Sequence, residues 1–104
     1  MKLTSIDFLP NQEYEVLDMV KGSVVRTKNV GKDIMAGFKT LVGGEIQSYT
    51  EMMNEARSIA TKRMVEEAEK MQADMIIGVR YTSAAVMGGA AEIMAYGTAI
   101  KLKN

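Results

Sequence analysis

The chain has 104 residues, 47% of them apolar and 25% charged, which predicts one globular domain, residues 1–104, with a modest core. Thirteen Lys and Arg residues balance thirteen Asp and Glu residues, so no net charge draws the chain towards nucleic acid or an anionic membrane. Cys and His are absent, which excludes disulfides, thiolate chemistry, classical zinc sites and Ser-His-Asp or Cys-His catalysis.

The N-terminal part predicts two strands. Residues 3–6 form a short candidate strand that ends near Pro10, and residues 13–27 form the first long one. Its two faces carry Tyr14, Val16, Val20 and Val24 on one side and Leu17, Met19 and Val25 on the other. Gly22 indicates a bulge or bend in this strand. The alternative is a tight Lys21-Gly22 turn between two antiparallel strands.

A change of period predicts a short helix after the long strand. Asn29 is placed to cap it, and its apolar face contains Val30, Ile34, Phe38 and Leu41. Gly31 and Gly37 each weaken a helix by about 1 kcal/mol relative to Ala, so this helix must depend on tertiary packing. The pair Gly43-Gly44 ends it.

Residues 48–72 predict one long helix, about which the rest of the chain is organised. Ser48 and Glu51 form a capping box at its start. An apolar stripe follows at intervals of three or four residues: Tyr49, Met53, Ala56, Ala60, Met64, Ala68 and Met71, widened by Met52 and Ile59. The other face carries charges, with Glu66 and Lys70 as a favourable pair four residues apart.

Two strands complete the chain. The apolar run that begins at Met75 predicts a strand over residues 75–82, and residues 92–102 predict the last one. Residues 83–91, which contain Gly88-Gly89, read as the connection between them. The order of elements along the chain is therefore strand, helix pair, strand, strand. This order predicts an α+β fold of two layers, with a mainly antiparallel sheet covered on one face by the long helix.

The search for reactive groups leaves few candidates. Neither glycine pair lies in a phosphate-binding motif. Five basic residues between positions 21 and 39, against Asp33 alone, form a patch that can attract an anion near the start of the short helix. Ten methionines offer thioethers to a soft ion such as Cu(I), but those on the long helix occupy its core stripe, where methionine normally fills gaps.

Several motifs together carry a resemblance. In chain order they are Asp33-Ile34-Met35-Ala36-Gly37, Val42-Gly43-Gly44, Tyr49, Glu55-Ala56-Arg57, Ala60, Ala68, Ala73-Asp74-Met75-Ile76-Ile77-Gly78-Val79 and Tyr96-Gly97-Thr98-Ala99. In kind and order they resemble the YbjQ-like family of small bacterial proteins, over nearly the whole chain. Gln72 departs from the pattern, because relatives usually carry glycine just before the Ala-Asp pair.

The resemblance implies a dodecin-like β-α-β-β unit that assembles as a homopentamer. Members of the family carry a heavy-metal-binding label, which implies a metal ion as the candidate cofactor, with unknown ligands. Residues from these motifs and the basic stretch are the candidates for an interface or ligand site: Lys32, Asp33, Gly43, Gly44, Tyr49 and Arg57. No catalytic residue is predicted.

The sequence therefore leaves two functional hypotheses. The first is an oligomeric protein that binds a heavy metal through carboxylates or thioethers. The second is a non-catalytic homo-oligomeric module that binds a small ligand or partner at its subunit interfaces. An enzyme is disfavoured because no acid–base or nucleophile constellation is visible. Without a secretion signal or an apolar run near 18 residues, we expect a cytoplasmic protein with no membrane or nucleic-acid partner.

Self-association also has a physical basis in the strand patterns. One helical layer covers one face of a sheet, yet the predicted strands carry aliphatic side chains on both faces, such as Ile76 against Ile77. An apolar face left open is rare on soluble monomers. We therefore predict a closed homo-oligomer; the number five comes from the family resemblance.

Overall fold

A computed structural model describes residues 1–27 and 47–103, and for residues 47–49 the backbone alone. Its elements in chain order are β1 (Lys2–Leu3), β2 (Tyr14–Thr27), α1 (Gln47–Lys70), β3 (Met75–Met87) and β4 (Ala90–Leu102). The strands form one sheet in the order β1-β3-β4-β2. β1 runs parallel to β3, and the other pairs are antiparallel. The predicted α+β class is confirmed, while the predicted short helix lies outside the described residues.

The long helix packs its apolar stripe on the sheet, as predicted. The buried side chains on its inner face are Met52, Ala56, Ala60, Met64 and Ala68. The last four form one core cluster with Val20, Val24, Ile76, Ile93 and Ala95 of the strands. All five helix residues recur every four positions from Met52, which keeps them on one side of the helix. Small alanines along this line let the helix approach the strands closely.

The helix ends in a Schellman motif. Gln72 adopts a left-handed conformation, with φ of 62°. The Ala73 amide donates to the Ala68 carbonyl at 3.1 Å, and the Gln72 amide donates to the Glu69 carbonyl at 3.0 Å. These are the two bonds that close this type of helix end. The departure noted at Gln72 therefore falls on the position where glycine is normally favoured.

Gly22 serves the contact between helix and sheet. It lies within the continuous strand β2 and is buried, so the alternative turn at Lys21-Gly22 is wrong. A Cβ atom here would overlap the Ala60 carbonyl oxygen and the Met64 nitrogen, and would lie 2.7 Å from the Arg63 Cβ. Glycine is needed because the helix backbone passes directly over the strand.

The bulge in β2 lies five residues earlier than the glycine. The register with β4 shifts between Val16 and Asp18, so one extra residue exchanges the two faces of the strand. The predicted grouping of Val16 with Val20 is therefore wrong: Val20 is buried under the helix, whereas Val16 is 60% exposed on the opposite side. Leu17, the extra residue of the bulge, packs against the core beneath the helix.

The hairpin between β3 and β4 is tighter than predicted. Residues 83–91 were expected to form a connection, but the strands continue until Met87 pairs with Ala90. Gly88 and Gly89 form a two-residue turn, in which Gly89 has φ of 78°. A positive φ at the second turn position favours glycine there. The short side chains of this stretch hid its strand character, because they alternate little in hydrophobicity.

The first strand is also shorter than predicted. Residues 3–6 were expected, whereas β1 spans Lys2–Leu3 and pairs with β3 at Met75 and Ile76. Backbone bonds still connect the segment to β3 beyond that point, including one from the Gly78 amide to the Ile6 carbonyl at 2.7 Å.

Residues 4–13 join opposite edges of the sheet and cover part of the face away from the helix. Leu9 and Tyr14 pack there against a second cluster of Met75, Ile77 and Ile100. Arg80 fixes the segment through the Ser5 carbonyl at 2.7 Å and the Asp7 carboxylate at 3.2 Å. We call this face the outer face. The chain itself thus covers one end of it.

Candidate functional site

Of the six predicted site residues, Arg57 alone has a described side chain. Lys32, Asp33, Gly43 and Gly44 lie outside the described residues. Tyr49 lies in the first turn of α1, where the structure describes its backbone but not its side chain. Arg57 is exposed on α1. The structure therefore does not test whether the six residues converge.

Arg57 lines a surface groove between α1 and β3. The groove has a volume of about 680 Å³ and is lined by Asn54, Arg57, Ser58, Thr61, Lys62 and Tyr81. The helix places polar side chains along the groove because positions three and four apart share one side. Tyr81 completes the wall from the strand.

A chain of hydrogen bonds orders the groove wall. Asn54 Oδ1 accepts a bond of 2.6 Å from Arg57 Nη2. Thr61 Oγ1 donates to the Arg57 carbonyl at 2.7 Å and lies 2.7 Å from the Tyr81 hydroxyl. Because a threonine hydroxyl carries one proton, the Tyr81 hydroxyl must be the donor to Thr61. Its oxygen is left as an acceptor towards the groove.

The groove continues past Arg57 and Tyr81. These two residues also line an adjoining cavity of about 230 Å³, with Thr82, Ser83 and the buried Ile93. Among the described residues, the lining of both cavities contains two cations, Arg57 and Lys62, and no carboxylate. The ion pairs found among the described residues, Arg26–Glu55 and Arg80–Asp7, use neither of them. This arrangement can attract and hold an anion; it presents no paired nucleophile and base.

A separate cavity lies at the N-terminal end of α1, beside the hairpin turn. It has a volume of about 390 Å³ and is lined by Met52, Met53, Ala85, Met87, Gly88, Gly89, Ala90 and Ala91. Three thioethers are its chemically distinctive groups. Within residues 1–27 and 47–103, no group of three or more His, Cys, Asp or Glu side chains is placed to hold a metal ion.

A family model described as "Putative heavy-metal-binding" (YbjQ) matches residues 1–103. The chain belongs to the YbjQ family. Similar YbjQ-type chains include a UPF0145 protein of Alkaliphilus metalliredigens, 61% identical over 97% of this chain and 98% of that protein. Others are the UPF0145 proteins of Clostridium novyi, 56% identical over 98% and 99% of the two chains, and of Thermotoga maritima, 55% identical over 100% and 99%. The predicted family is confirmed.

The YbjQ fold is also present in a solved structure. A crystal structure of a protein of unknown function from Pediococcus pentosaceus superposes with a TM-score of 0.73 and covers 99% of this chain and 98% of that one. The two chains are 21% identical, so this similarity concerns the fold. No helix in the described part of the YbjQ-family chain is long and apolar enough to cross a membrane.

Sequence reasoning missed most of the groove. Asn54, Ser58 and Thr61 share one side of the helix with Arg57, and this polar cluster at helical spacing is a signal that the sequence contains. Tyr81 gave no such signal, because the pairing of β3 beside α1 brings it to the groove from 20 positions away in sequence.

Proposed function

We propose that this single-domain protein is a non-catalytic binding module that works as a closed homo-oligomer, most simply a pentamer, and holds a small ligand. The observation that carries the proposal is an apolar patch on the uncovered part of the outer face. We define the outer patch as Val16, Met19 and Val25 of β2, with Met94 and Tyr96 of β4. Met19 is 66% exposed and Val25 is 54% exposed.

The patch favours a second copy of the chain as its cover. Residues 4–13 cover the other end of the outer face, and the patch lies on the part that they leave open. Lys21 and Ser23 interrupt it, since they lie beside Tyr96 and Met94 on the same face. Several large apolar side chains exposed on one sheet face are still typical of a protein contact. The number five is supported by the family resemblance alone.

The edge of β2 supports assembly through a face rather than through open strand pairing. Two backbone groups of this edge are occupied by helix side chains: Arg63 Nη1 donates to the Ser23 carbonyl at 2.6 Å, and the Lys21 amide donates to Glu67 Oε1 at 3.3 Å. Capping an edge strand in this way hinders uncontrolled strand addition.

Sedimentation velocity at micromolar concentration tests the assembly. We expect a single species near five times the 11.4 kDa chain mass. A monomer at these concentrations would overturn the proposal. Native mass spectrometry and elemental analysis of the purified protein then distinguish a bound organic molecule from a bound metal.

Heavy-metal binding is the second candidate function, and the methionine-lined cavity is the observation that favours it. Thioethers prefer soft ions such as Cu(I), and Met52, Met53 and Met87 line one space. Anaerobic Cu(I) titration of the protein and of a Met87→Leu variant tests this candidate. Because Met87 is 70% exposed, the substitution should spare the fold. Equal affinities would remove this cavity as the metal site.

A cytoplasmic location stays part of the proposal. Cell fractionation followed by immunodetection tests it, and recovery with the membrane or secreted fraction would contradict it.

A further inference from the structure

We propose that the groove beside Arg57 binds a small organic anion that carries a phosphate or carboxylate group. The inference rests on the proposed function in one respect, since it names the ligand class of the binding module. It assigns the charged end of the ligand to Arg57 and Lys62 and the organic body to the space beside Tyr81.

The charge of the groove selects an anion. Arg57 and Lys62 are exposed and share one lining, in which the described part of the chain places no carboxylate. Two like charges facing a common space repel each other, and an anion placed between them relieves that repulsion. A metal cation would meet two positive charges here and no anionic side chain from residues 1–27 or 50–103, so these residues favour an anion over a metal ion.

The hydrogen-bonding groups of the groove also favour an anion. A guanidinium has several N–H donors, and Asn54 engages Nη2 of Arg57 at 2.6 Å, which holds the side chain without neutralising it. The remaining guanidinium donors, the Lys62 ammonium and the Ser58 hydroxyl are available to acceptor oxygens. Phosphate and carboxylate groups supply such oxygens, and Arg binds them through paired bonds.

The shape of the groove favours an organic ligand over a bare inorganic ion. The groove is largely open to solvent, and its volume of about 680 Å³ leaves room for a small organic molecule. The ring of Tyr81 is held by the bond to Thr61, and the adjoining cavity reaches the buried Ile93. Inorganic phosphate would occupy the cationic end alone, whereas an organic anion would also contact this aromatic and apolar wall.

Titrations followed by amide resonances of the ¹⁵N-labelled full chain test the proposal. The probes are inorganic phosphate, adenosine monophosphate as the organic phosphate, and citrate as the carboxylate. We expect at least one organic probe to shift the resonances of residues 54–62 and 81–83 and to bind several-fold tighter than inorganic phosphate. The stronger of the two organic probes then distinguishes phosphate from carboxylate. If none of the three probes shifts these resonances, the proposal is overturned.

Variants separate a built site from general surface charge. Arg57→Gln should lower the affinity for the organic probe by about tenfold, because a hydrogen bond between charged groups is lost. Lys62→Gln should lower the same affinity several-fold. Arg80→Gln is the matched control: it removes an exposed arginine paired with Asp7 on the outer face. Unchanged affinity in this control supports the site. An equal loss in Arg80→Gln and Arg57→Gln would overturn it.

The outcome is independent of the assembly test. A protein that sediments as a monomer but binds the organic anion through Arg57 supports this inference and removes the oligomer from the proposed function. A closed oligomer whose groove resonances do not respond to any probe overturns this inference and leaves the assembly intact.

Discussion

At the scale of single residues, Gly22 shows how one missing side chain sets the distance between helix and sheet. Gly22→Ala should destabilise the protein by about 1–3 kcal/mol, because the added methyl overlaps the Ala60 carbonyl and pushes the helix outward. Denaturant titration monitored by circular dichroism measures this. Gly88→Ala is the control, since a Cβ there meets nothing within 4 Å. Equal loss in both variants would contradict the close approach.

Gln72 carries conformational strain that glycine would relieve. Its φ of 62° places a side chain in the left-handed region, which costs roughly 1–2 kcal/mol for most residues. Gln72→Gly should therefore raise the thermal unfolding midpoint, with a net gain of up to about 1 kcal/mol after the added chain entropy. Gln72→Ala keeps the strain and should give no gain. A lower midpoint for the glycine variant would show that the Gln72 side chain stabilises the fold.

The residue types themselves limit metal chemistry. With no His or Cys in the chain, Zn²⁺ must be held by carboxylates, whose binding is weak and is lost as they protonate. Calorimetry at neutral pH should show an affinity weaker than micromolar that decreases further at low pH. Submicromolar Zn²⁺ binding would refute this expectation and support the family label.

At the scale of elements, the long helix was predicted almost entirely from its periodicity. The predicted range of 48–72 compares with Gln47–Lys70 in the structure, and the predicted inner residues Ala56, Ala60, Met64 and Ala68 are buried. The period of 3.6 residues is a local property, so sequence alone reveals it. The two faces of β2 were less predictable, because the bulge near Leu17 depends on its pairing with β4.

A pair of helix variants tests the orientation of this element. Ala60→Asp places a charge without a partner in the core, which should cost several kcal/mol, comparable to the whole stability of a small domain. Glu66→Ala, on the exposed face, should cost under about 0.5 kcal/mol. Chemical denaturation midpoints measure both. Similar midpoints for the two variants would mean that the helix faces are misassigned.

At the scale of the whole molecule, the prediction concerns the outer patch, which we propose as the interface between subunits. Val25→Glu places a charge in the proposed interface and should shift the sedimenting species towards the monomer, because an unpaired charge in an interface is costly. Val86→Glu is the matched control: Val86 has the same residue type and the same exposed fraction, 54%, but lies near the hairpin turn. If Val86→Glu dissociates the oligomer and Val25→Glu does not, the interface lies at the hairpin and the outer patch is excluded.

The sequence by itself determined the class of the fold, the long helix with its buried stripe, the approximate positions of the strands and the family. Local periodicity, turn residues and short motifs indicate these features. Tertiary structure decided the bulge that exchanges the faces of β2, the need for glycine at position 22 and the cover that residues 4–13 give to the outer face. It also decided the groove, because Arg57 and Tyr81 become neighbours only when β3 lies beside α1. Such contacts depend on distances between segments that are remote in sequence, which no local pattern encodes.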